Sequence, residues 1–507
     1  MKSLKEMKEG KREPLPVVLQ YLHVLHGSLL LPCLLVLLLG LAAAGCARDP
    51  EPERPPVVLV SVDTLRADHL GCYGYERPTS PGLDRFARQA VVFREAFASA
   101  PVTAPSHMSI LTGLSPAVHG VINFRQEEGE NRARARSLSP RIPTLPEFLR
   151  EHGYLTVALT AGGNISEKMG FGRGFDHFST EFEQWVDEEG RYRTGIEDLG
   201  KTRETIRGWI RRSRDEKKPL FLFLHHNVCH DPYLSGPAEY RLRFLTDPVE
   251  GLPTGAGGFG EAEGFGDVRG SFFRPLDPDN PDHVRHYVDL YDGGVLFSDV
   301  IFSLILETLR EEGIGEKSLV IFLSDHGEEF FEHKDKLHWK LFRETIRVPL
   351  VIRFPHNRWA GKSIEVPVRL VDIFPTVAAV AGLDDSLPRV QGESLLPLLT
   401  GAGYYRPDPV SFSGNGRAVR LSRDGHVYFN QAIDETRERL FAGDDLGENA
   451  NLAESDPELL DRMQVEARRE MARQEAWRKE LLGNEVPREI EADENRMEQL
   501  RALGYVK

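Results

Sequence analysis

The sequence predicts an α/β fold in which a mixed, mostly parallel sheet is sandwiched by helices and is followed by a smaller C-terminal α+β subdomain. Short runs of Val, Ile, Leu and Phe without polar alternation indicate strands that are buried on both faces, as in parallel sheets. Segments with helical periodicity separate these runs. After residue 400 the pattern changes to the alternation of polar and apolar residues that is typical of antiparallel strands.

The chain begins with a segment of different character. Several lysines precede the apolar run "GSLLLPCLLVLLLGLAAAG", which stops at Cys46, and we interpret residues 1–46 as a signal peptide. The small residues before Cys46 resemble a bacterial lipobox, which implies a lipoprotein acylated at this thiol. An uncleaved N-terminal membrane anchor is the alternative, because the run approaches the roughly 20 residues that span a bilayer.

Both interpretations predict an extracytoplasmic protein of the bacterial cell envelope, either periplasmic or a lipoprotein of the cell surface. Its contact with the membrane is expected through lipidated Cys46 or through the N-terminal anchor. Residues 47–56 are rich in proline and charge, and this composition predicts an extended tether.

Residues 57–400 form the predicted main domain. Its strands are predicted at the runs "PVVLVSVD", "LTVALTAG", "PLFLFLHH", "SLVIFLSDHG" and "VPLVIRFP". Helices are predicted at "TLPEFLREHG" and "SDVIFSLILETLREEGIG", each ending near a glycine that can adopt the left-handed cap conformation. Residues 125–141 and the Gly-rich residues 251–270 are expected to be loops, either lids over a site or surface insertions.

Residues 401–507 form the predicted C-terminal subdomain. The stretch "VSFSGNGRAVRLSRDGHVYFNQ" alternates like two antiparallel strands around turn residues. A charged helix is predicted from Asp456 to Leu482. This part of the chain is therefore expected to combine a small sheet with one long helix.

Composition disfavours two classes of protein. The chain has 507 residues, of which 40% are hydrophobic, so it can bury a sizeable core. Its formal net charge of -15 argues against a nucleic-acid partner, because nucleic-acid binding needs a surplus of Lys and Arg. Of its 4 cysteines only Cys72 and Cys229 follow the signal segment, which is too few for a disulfide framework. Any anionic substrate must therefore be held by a local site.

Polar side chains stand where the predicted strands end. Asp63 closes the first run, His225 and His226 close the third, and Asp325 with His326 closes the fourth. Ligands of open α/β sheets bind at the carboxyl ends of the strands. We therefore expect these five side chains to converge on one crevice, where carboxylate and imidazole groups are able to bind a divalent cation.

Thr103 stands at the start of another predicted helix, "TAPSHMSILTG". Pro105 fits the first turn of that helix, so backbone N–H groups and the positive end of the helix dipole are expected beside the Thr103 hydroxyl. Threonine is also a good helix cap, which is the alternative role. Its position among the metal-binding candidates favours a nucleophile.

Six segments in this order resemble successive blocks of the sulfatase family, within the alkaline phosphatase superfamily. The resemblance runs from Val57 to Leu399, and "LFAGDDLGENANLAE" is similar to a late block of the family. It implies the family's fold and ester-hydrolase chemistry. The six segments are "VLVSVDTLRADHLGCYGY", "TAPSHMSILTGLSPAVHGV", "FLFLHHNVCHDPY", "VIFLSDHGEEFFEH", "FRETIRVPLVIRFP" and "VRLVDIFPTVAAVAGL".

The resemblance places Thr103 at the family's catalytic position. Sulfatases have there a Cys or Ser that is oxidised to formylglycine, and an Arg where this sequence has His107. A secondary alcohol cannot become the formylglycine aldehyde, whereas phosphoryl-threonine is able to pass its phosphoryl group to water or another alcohol. The change therefore implies direct attack by Thr103, with a preference for phosphate over sulfate.

The resemblance also implies one divalent metal site, held by Asp63, Asp325 and His326 together with Thr103. Thr64 takes the place of a second acid that many sulfatases have, and is the remaining candidate ligand. The set is similar to that of lipoteichoic acid synthases and phosphoethanolamine transferases, although those have Glu where Asp63 stands. Manganese, zinc and calcium are the candidates, and the imidazole suits zinc or manganese better than calcium.

Proton donors to the leaving group are implied as well. His230 matches the family's substrate-contacting histidine, and His338 falls where many sulfatases have a lysine, with Lys340 as the alternative source of that charge. A histidine can protonate a leaving alkoxide near neutral pH. Arg66, Asn164 and His107 are further candidates for pocket contacts.

Three functions are consistent with these residues. The leading one is a metal-dependent hydrolase or phosphotransferase acting on phosphate esters of cell-envelope or extracellular glycans and lipids, with Thr103 as nucleophile. The second is a sulfuric ester hydrolase that works without formylglycine. The third is a catalytically silent protein that binds an anionic glycan. In each case the partner is an anionic ester or glycan and not a nucleic acid.

Overall fold

The computed structural model describes residues 54–126, 132–182, 184–186, 192–252, 277–334, 336–403, 410–431, 438–485 and 487–494, with single positions at 254, 405, 496, 497 and 500. The predicted signal segment, Cys46, most of the tether and nearly all of the Gly-rich residues 251–270 lie outside the described residues. Within the described part of the chain, no helix has both the length and the apolar character needed to cross a membrane.

The strands are β1 (Val57–Val62), β2 (Val91–Phe97), β3 (Ile122–Gln126), β4 (Ala133–Arg136), β5 (Leu155–Leu159), β6 (His177–Ser179), β7 (Gln184–Val186), β8 (Tyr192–Thr194), β9 (Leu220–His226), β10 (Leu319–Ser324), β11 (Glu329–Phe330), β12 (Lys336–Leu337), β13 (Arg347–Arg353), β14 (Ser363–Ile364), β15 (Val368–Arg369), β16 (Val410–Phe412), β17 (Val419–Arg423), β18 (His426–Phe429), β19 (Arg439–Ala442) and β20 (Glu489–Glu491).

The α-helices are α1 (Pro81–Ala87), α2 (Thr103–Thr112), α3 (Pro116–His119), α4 (Leu145–Glu151), α5 (Leu199–Asp215), α6 (Ala238–Arg241), α7 (Pro281–Glu311), α8 (Arg343–Ile346), α9 (Ile373–Val380), α10 (Leu396–Thr400) and α11 (Pro457–Leu482). Short 3-10 helices cover Ala67–His69, Gly71–Tyr73, Glu167–Met169, Gly195–Glu197, Pro355–Asn357, Leu370–Asp372 and Asp384–Ser386.

A nine-stranded sheet, counted over the described residues, forms the centre of the molecule. Its order is β14-β2-β13-β10-β1-β9-β5-β6, and β15 also pairs with β2. β1 pairs in parallel with both β9 and β10, while β13 is antiparallel to β10 and β2. All five predicted strands are present, and the predicted mixed, mostly parallel sheet is confirmed.

Helices cover both faces of this sheet. Along β1, Leu59 packs into a cluster with residues of α4 and α9, and Val60 packs into a second cluster with residues of α1, α5 and α7. A strand whose alternate side chains both enter a core has no polar face. This double burial is the physical reason for the uninterrupted apolar runs in the sequence.

The C-terminal part contains a separate antiparallel sheet. It has the order β16-β17-β18-β19, and α11 packs its apolar side on this sheet through Leu459, Met463 and Ala467. The predicted helix is confirmed, with Asp456 capping its first turn. Strand β20 then pairs with β4, so the chain returns to the main domain after α11. The boundaries 57–400 and 401–507 stay a prediction.

One sequence-based interpretation needs correction. Residues 125–141 were expected to be a loop, but residues 133–136 form β4, which lies between β3 and β20 in a three-stranded sheet of the described residues. The strand is short, and charged arginines alternate in it with alanines, so its pattern has too few large apolar residues to indicate a strand. Pairing with a strand more than 350 residues later decides its structure.

Candidate active site

Three parallel strands bring their polar ends to one place. Val62, the last residue of β1, pairs with both His226 of β9 and Ser324 of β10. Asp63 and Asp325 therefore leave the sheet side by side. His225 joins them, with its Nε2 atom 3.5 Å from Asp63 Oδ2.

His226 was also expected in this crevice, but the strand turns it away. Side chains alternate along a strand, so His226 points to the opposite face from His225. Its even-numbered neighbours Leu222 and Leu224 pack in the cluster of α1, α5 and α7. Four of the five expected side chains, without His226, are therefore brought together.

Asp63, Asp325 and His326 form a compact, buried group. One ligand atom of each lies within 4.8 Å of the others. His326 Nε2 is 3.4 Å from Asp63 Oδ1 and 3.3 Å from Asp325 Oδ2. Asp63 Oδ1 and Asp325 Oδ1 are buried and accept no hydrogen bond from the described residues.

Such buried carboxylate oxygens without a donor fit a cation, because burial of an unpaired charge costs free energy that a metal ion removes. Two carboxylates and one imidazole are donors that zinc and manganese accept. Calcium favours a larger number of oxygen ligands than these three residues offer. Asp63, Asp325 and His326 are therefore residues that could hold a divalent metal, as the sequence predicted.

The protonation of this group follows from burial and mutual charge. Burial raises the pKa of Asp63, but the hydrogen bond from His225 and the charge of His326 outweigh it and hold this pKa far below the ordinary value. Burial lowers the pKa of both His225 and His326 to about 4. The carboxylate and the neutral imidazoles are the forms that bind metal ions.

Thr103 is the first residue of α2 and lies beside the acidic group. Its Oγ1 atom is 3.4 Å from His326 Nε2, and its side chain is buried. The position before the helix belongs to Val102, so Thr103 stands inside the first turn and not at the cap. This placement brings the predicted nucleophile to the predicted metal ligands.

The start of α2 offers fewer free donors than the sequence suggested. The Ala104 N–H donates to Asn123 Oδ1 at 2.8 Å, and the Ser106 N–H donates to the Val102 carbonyl oxygen at 3.2 Å. Pro105 has no N–H. The helix dipole still favours negative charge here, but these N–H groups are already used within the protein.

His107 lies behind Asp325. Its Nδ1 is 3.2 Å from Asp325 Oδ2 and 3.0 Å from the Thr103 carbonyl oxygen, and its Nε2 is 2.9 Å from Ser61 Oγ. Burial lowers the pKa of His107, but the charge of Asp325 outweighs it and the pKa is raised. The ring therefore supports the group from behind, where the sequence suggested a contact in the pocket.

His230 and His338 line the group on another side. The His338 ring centroid is 4.3 Å from that of His326 and 5.3 Å from that of His230. His338 Nδ1 is 3.1 Å from Glu328 Oε1. Burial lowers the pKa of His338 to about 3, whereas the charges of Asp63 and Glu328 outweigh burial at His230 and raise its pKa.

Lys340 takes a different direction from His338. Its Nζ donates to Glu329 Oε1 and to the His333 carbonyl oxygen, both at 3.2 Å. Of the two candidates for the family's lysine position, His338 is the one that the structure brings into ring contact with His326.

Thr64 makes its described contact away from the acids. Its hydroxyl donates to the Cys229 carbonyl oxygen at 2.7 Å, and its backbone has φ = 61°, which is rare for a β-branched residue. The Tyr291 hydroxyl donates to the Thr64 carbonyl oxygen and helps to hold this conformation. Thr64 thus shapes the turn after β1, and no described contact supports its role as a metal ligand.

The two remaining candidates are engaged within the protein. Arg66 Nη2 lies 2.7 Å from Asp68 Oδ2, and its Nη1 lies 2.5 Å from Glu332 Oε1. Asn164 Oδ1 accepts the Phe124 N–H at 2.9 Å. Both residues therefore hold neighbouring segments of the chain.

Sequence reasoning missed Ser61, Asn123 and Glu328. Ser61 and Asn123 support His107 and the start of α2, and Glu328 supports His338. Glu328 follows His326 by two residues, and this closeness in the sequence to a predicted ligand is a signal that it lies near the site. Asn123 had no such signal, because nothing in the local pattern connects it with Ala104.

Comparison with known proteins agrees with this geometry. The family model described as Sulfatase matches residues 55–383. A protein named Sulfatase from Formosa agariphila is 24% identical over 442 residues, covering 79% of this chain and 85% of that protein.

Solved structures share the fold. The phosphonate monoester hydrolase SpPMH from Silicibacter pomeroyi has a TM-score of 0.62 at 18% identity, covering 83% of this chain and 96% of the other. A protein solved with its substrate D-glucosamine-2-N,6-O-disulfate has a TM-score of 0.63 at 18% identity, covering 84% of this chain and 99% of the other. With the family match over more than half of its length, this chain belongs to the sulfatase family of ester hydrolases, within the alkaline phosphatase superfamily.

Proposed function

We propose that this protein is a metal-dependent ester hydrolase in which the Thr103 hydroxyl is the nucleophile and phosphate esters are the preferred substrates. One observation carries the proposal: Thr103 Oγ1 lies 3.4 Å from His326 Nε2, at the edge of the buried group of Asp63, Asp325 and His326. A hydroxyl held at a helix start beside unpaired carboxylate oxygens is positioned for attack on an anionic ester.

Each residue then has a stated task. Asp63, Asp325 and His326 would hold a divalent metal, whose charge would stabilise the negative charge of the transferred group. The metal would lower the pKa of the Thr103 hydroxyl, so that its proton passes to solvent as Oγ1 bonds to phosphorus and the bond from phosphorus to the ester oxygen breaks. The departing alkoxide takes a proton from His230, whose pKa is raised, whereas His338, with a pKa lowered to about 3, is neutral near pH 7 and is not the donor. Water, or a second alcohol in a phosphotransferase reaction, then takes the phosphoryl group from Thr103.

The metal is proposed to be manganese or zinc, with calcium as the third candidate. The imidazole of His326 and the small number of carboxylates support the first two. Isothermal titration calorimetry with each ion measures the order of affinity directly.

Sulfate-ester hydrolysis is the second candidate function. The Sulfatase family model and the similar fold that was solved with a disulfated glucosamine support it. The phosphonate monoester hydrolase of similar fold supports phosphorus chemistry. A secondary alcohol in place of the formylglycine precursor is the reason to place phosphate first.

The substrate is proposed to be an anionic ester of a glycan or lipid in the cell envelope or outside the cell. The predicted lipobox at Cys46, or a retained N-terminal anchor, supports this location, because either would hold the enzyme at a membrane outside the cytoplasm.

The Thr103→Ala variant tests the nucleophile. We expect its kcat for p-nitrophenyl phosphate to fall at least about 1000-fold, as when other catalytic nucleophiles are removed. Thr112→Ala is the matched control, since Thr112 is buried at the other end of the same helix and donates to the Met108 carbonyl oxygen. Unchanged turnover by Thr103→Ala would refute the mechanism.

Relative activity on a phosphate ester and on a sulfate ester distinguishes the two candidate functions. Wild-type protein is assayed with p-nitrophenyl phosphate and p-nitrophenyl sulfate in manganese, zinc and calcium. The proposal expects a higher kcat/KM for the phosphate ester. A higher value for the sulfate ester, with the same loss in Thr103→Ala, would establish the second candidate in its place.

A further inference from the structure

Trp339 exposes a large aromatic ring beside the buried site. Its exposed fraction is 45%, although the residues on either side of it in the sequence, His338 and Lys340, are both buried. Among the described residues, the other large hydrophobic side chains with comparable exposure are Val366 and Leu446. This exposure is unusual, because it leaves a large part of the apolar indole surface in contact with water.

Two ring contacts connect Trp339 with the candidate active site. The His338 ring lies 4.3 Å from the His326 ring, and the Trp339 ring lies 5.6 Å from the His338 ring at an interplanar angle of 25°. Exposure increases along this series, from buried His326 to half-exposed Trp339. Trp339 thus occupies the outer end of a path that begins at the predicted metal ligands.

The backbone of Trp339 is anchored from the C-terminal sheet. Gln431, which follows β18, donates from Nε2 to the Trp339 carbonyl oxygen at 2.7 Å and accepts the Leu341 N–H at 2.9 Å. A flat ring on an anchored backbone loses little conformational entropy when a ligand covers it. The position has the properties of a preformed contact surface.

We propose that Trp339 is the stacking platform for the sugar ring that carries the ester, an inference that rests on the proposed function and narrows its substrate class to glycans. A pyranose has a flat C–H face for the indole and hydroxyls around its edge. Its neighbours in the sequence, His338 and Lys340, are polar and buried, and the Gln431 amide holds the Trp339 backbone through its carbonyl oxygen. An acyl chain would need a continuous apolar groove, whereas one half-exposed aromatic ring, at the outer end of a series of rings that begins at His326, matches a single sugar ring that carries the ester.

Binding to the Thr103→Ala protein tests the platform without turnover. The probes are monosulfated and monophosphorylated hexoses, with ethyl sulfate and ethyl phosphate as matched esters that lack a ring, all measured by calorimetry. We expect Trp339→Ala to weaken binding of the best sugar ester about tenfold and to leave the ethyl esters within about twofold. Trp339→Phe should recover part of the loss, because it restores a flat aromatic surface.

The control is Leu446→Ala, which removes an exposed apolar side chain elsewhere, and it should change no affinity. The inference is wrong if Trp339→Ala and its parent bind the sugar esters equally, or if no sugar ester binds the parent better than the ethyl esters. A larger loss for octyl sulfate than for the sugar esters would assign the ring to a lipid instead. None of these outcomes depends on turnover, so they are separate from the Thr103 kinetic test of the proposed function.

Discussion

His107 is the residue through which the start of α2 supports Asp325. Its two ring nitrogens contact three groups, namely Asp325 Oδ2, the Thr103 carbonyl oxygen and Ser61 Oγ. Partners that orient a metal-binding carboxylate usually affect metal affinity, although they do not touch the ion. We interpret His107 as a positioning residue for Asp325.

His107→Gln should weaken divalent metal binding about 10- to 100-fold. Both polar atoms of the glutamine amide lie at the end of the side chain, so they cannot reproduce the positions of Nδ1 beside Asp325 and Nε2 beside Ser61, and Asp325 is expected to lose its fixed orientation. Titration calorimetry with manganese and zinc measures the change, and circular dichroism verifies the fold. His119→Gln is the matched control, because His119 is also buried but contacts Pro105 and Val121 in place of Asp325. Equal affinities for both variants would contradict the role assigned to His107.

At the scale of elements, strand ends and helix starts position the site. Asp63 and Asp325 directly follow β1 and β10, and α2 begins with Thr103, which carries the hydroxyl. These features are local in the sequence, and they were predicted for that reason. The pairing of β13 with β2 and the strand character of residues 133–136 depend on partners far away in the chain, which a local pattern does not contain.

The N-terminus of helix α4 carries a local sequence signal, a capping box, whose contribution to stability can be measured. Thr144 and Glu147 form a capping box, in which the Thr144 side chain accepts the Glu147 N–H and the Glu147 side chain accepts the Thr144 N–H. Thr144→Ala should lower the free energy of unfolding by about 1 kcal/mol. Urea titration measures this value, and Thr144→Ser, which keeps the acceptor oxygen, should retain most of it. A loss of equal size in both variants would mean that the methyl group and not the cap is responsible.

At the scale of the whole molecule, buried histidines make stability depend on pH. His119 accepts the Val121 N–H at Nδ1, and its Nε2 lies 3.1 Å from the Pro105 carbonyl oxygen, so it is buried in its neutral form. Burial lowers its pKa to about 3, from an ordinary value of 6.5. Between about pH 3 and pH 6.5, His119 therefore binds a proton in the unfolded chain but not in the folded chain.

From this difference we expect the contribution of His119 to stability to be complete above pH 6.5. As pH falls from there toward 3, the free energy of unfolding should decrease by up to about 1.4 kcal/mol per pH unit. Urea unfolding of wild type and His119→Gln at several pH values isolates this residue, because the glutamine does not titrate. The advantage of wild type should shrink as the solution becomes more acidic, and a difference that stays constant would contradict the assignment.

The C-terminal sheet also reaches the site, which only the whole structure shows. Arg420 Nη1 donates to the Leu341 carbonyl oxygen at 3.1 Å, and Arg420 and Glu448 form a buried ion pair. Glu448 Oε2 in turn accepts the Arg343 N–H at 3.1 Å. The segment that carries His338 and Trp339 is thus held by residues about 80 to 110 positions later in the chain.

The sequence by itself determined the α/β class, the five predicted strands and the residues at their ends, because hydrophobic periodicity and strand-end polarity are properties of neighbouring residues. It also predicted that Thr103, Asp325 and His326 belong to one site, and the structure places these three side chains together. Only the tertiary structure decided that His226 faces away, that Asn123 occupies the Ala104 N–H and that Trp339 remains exposed. Those outcomes depend on side chains far apart in the sequence, whose contacts arise when the sheet, the helices and the C-terminal region pack together.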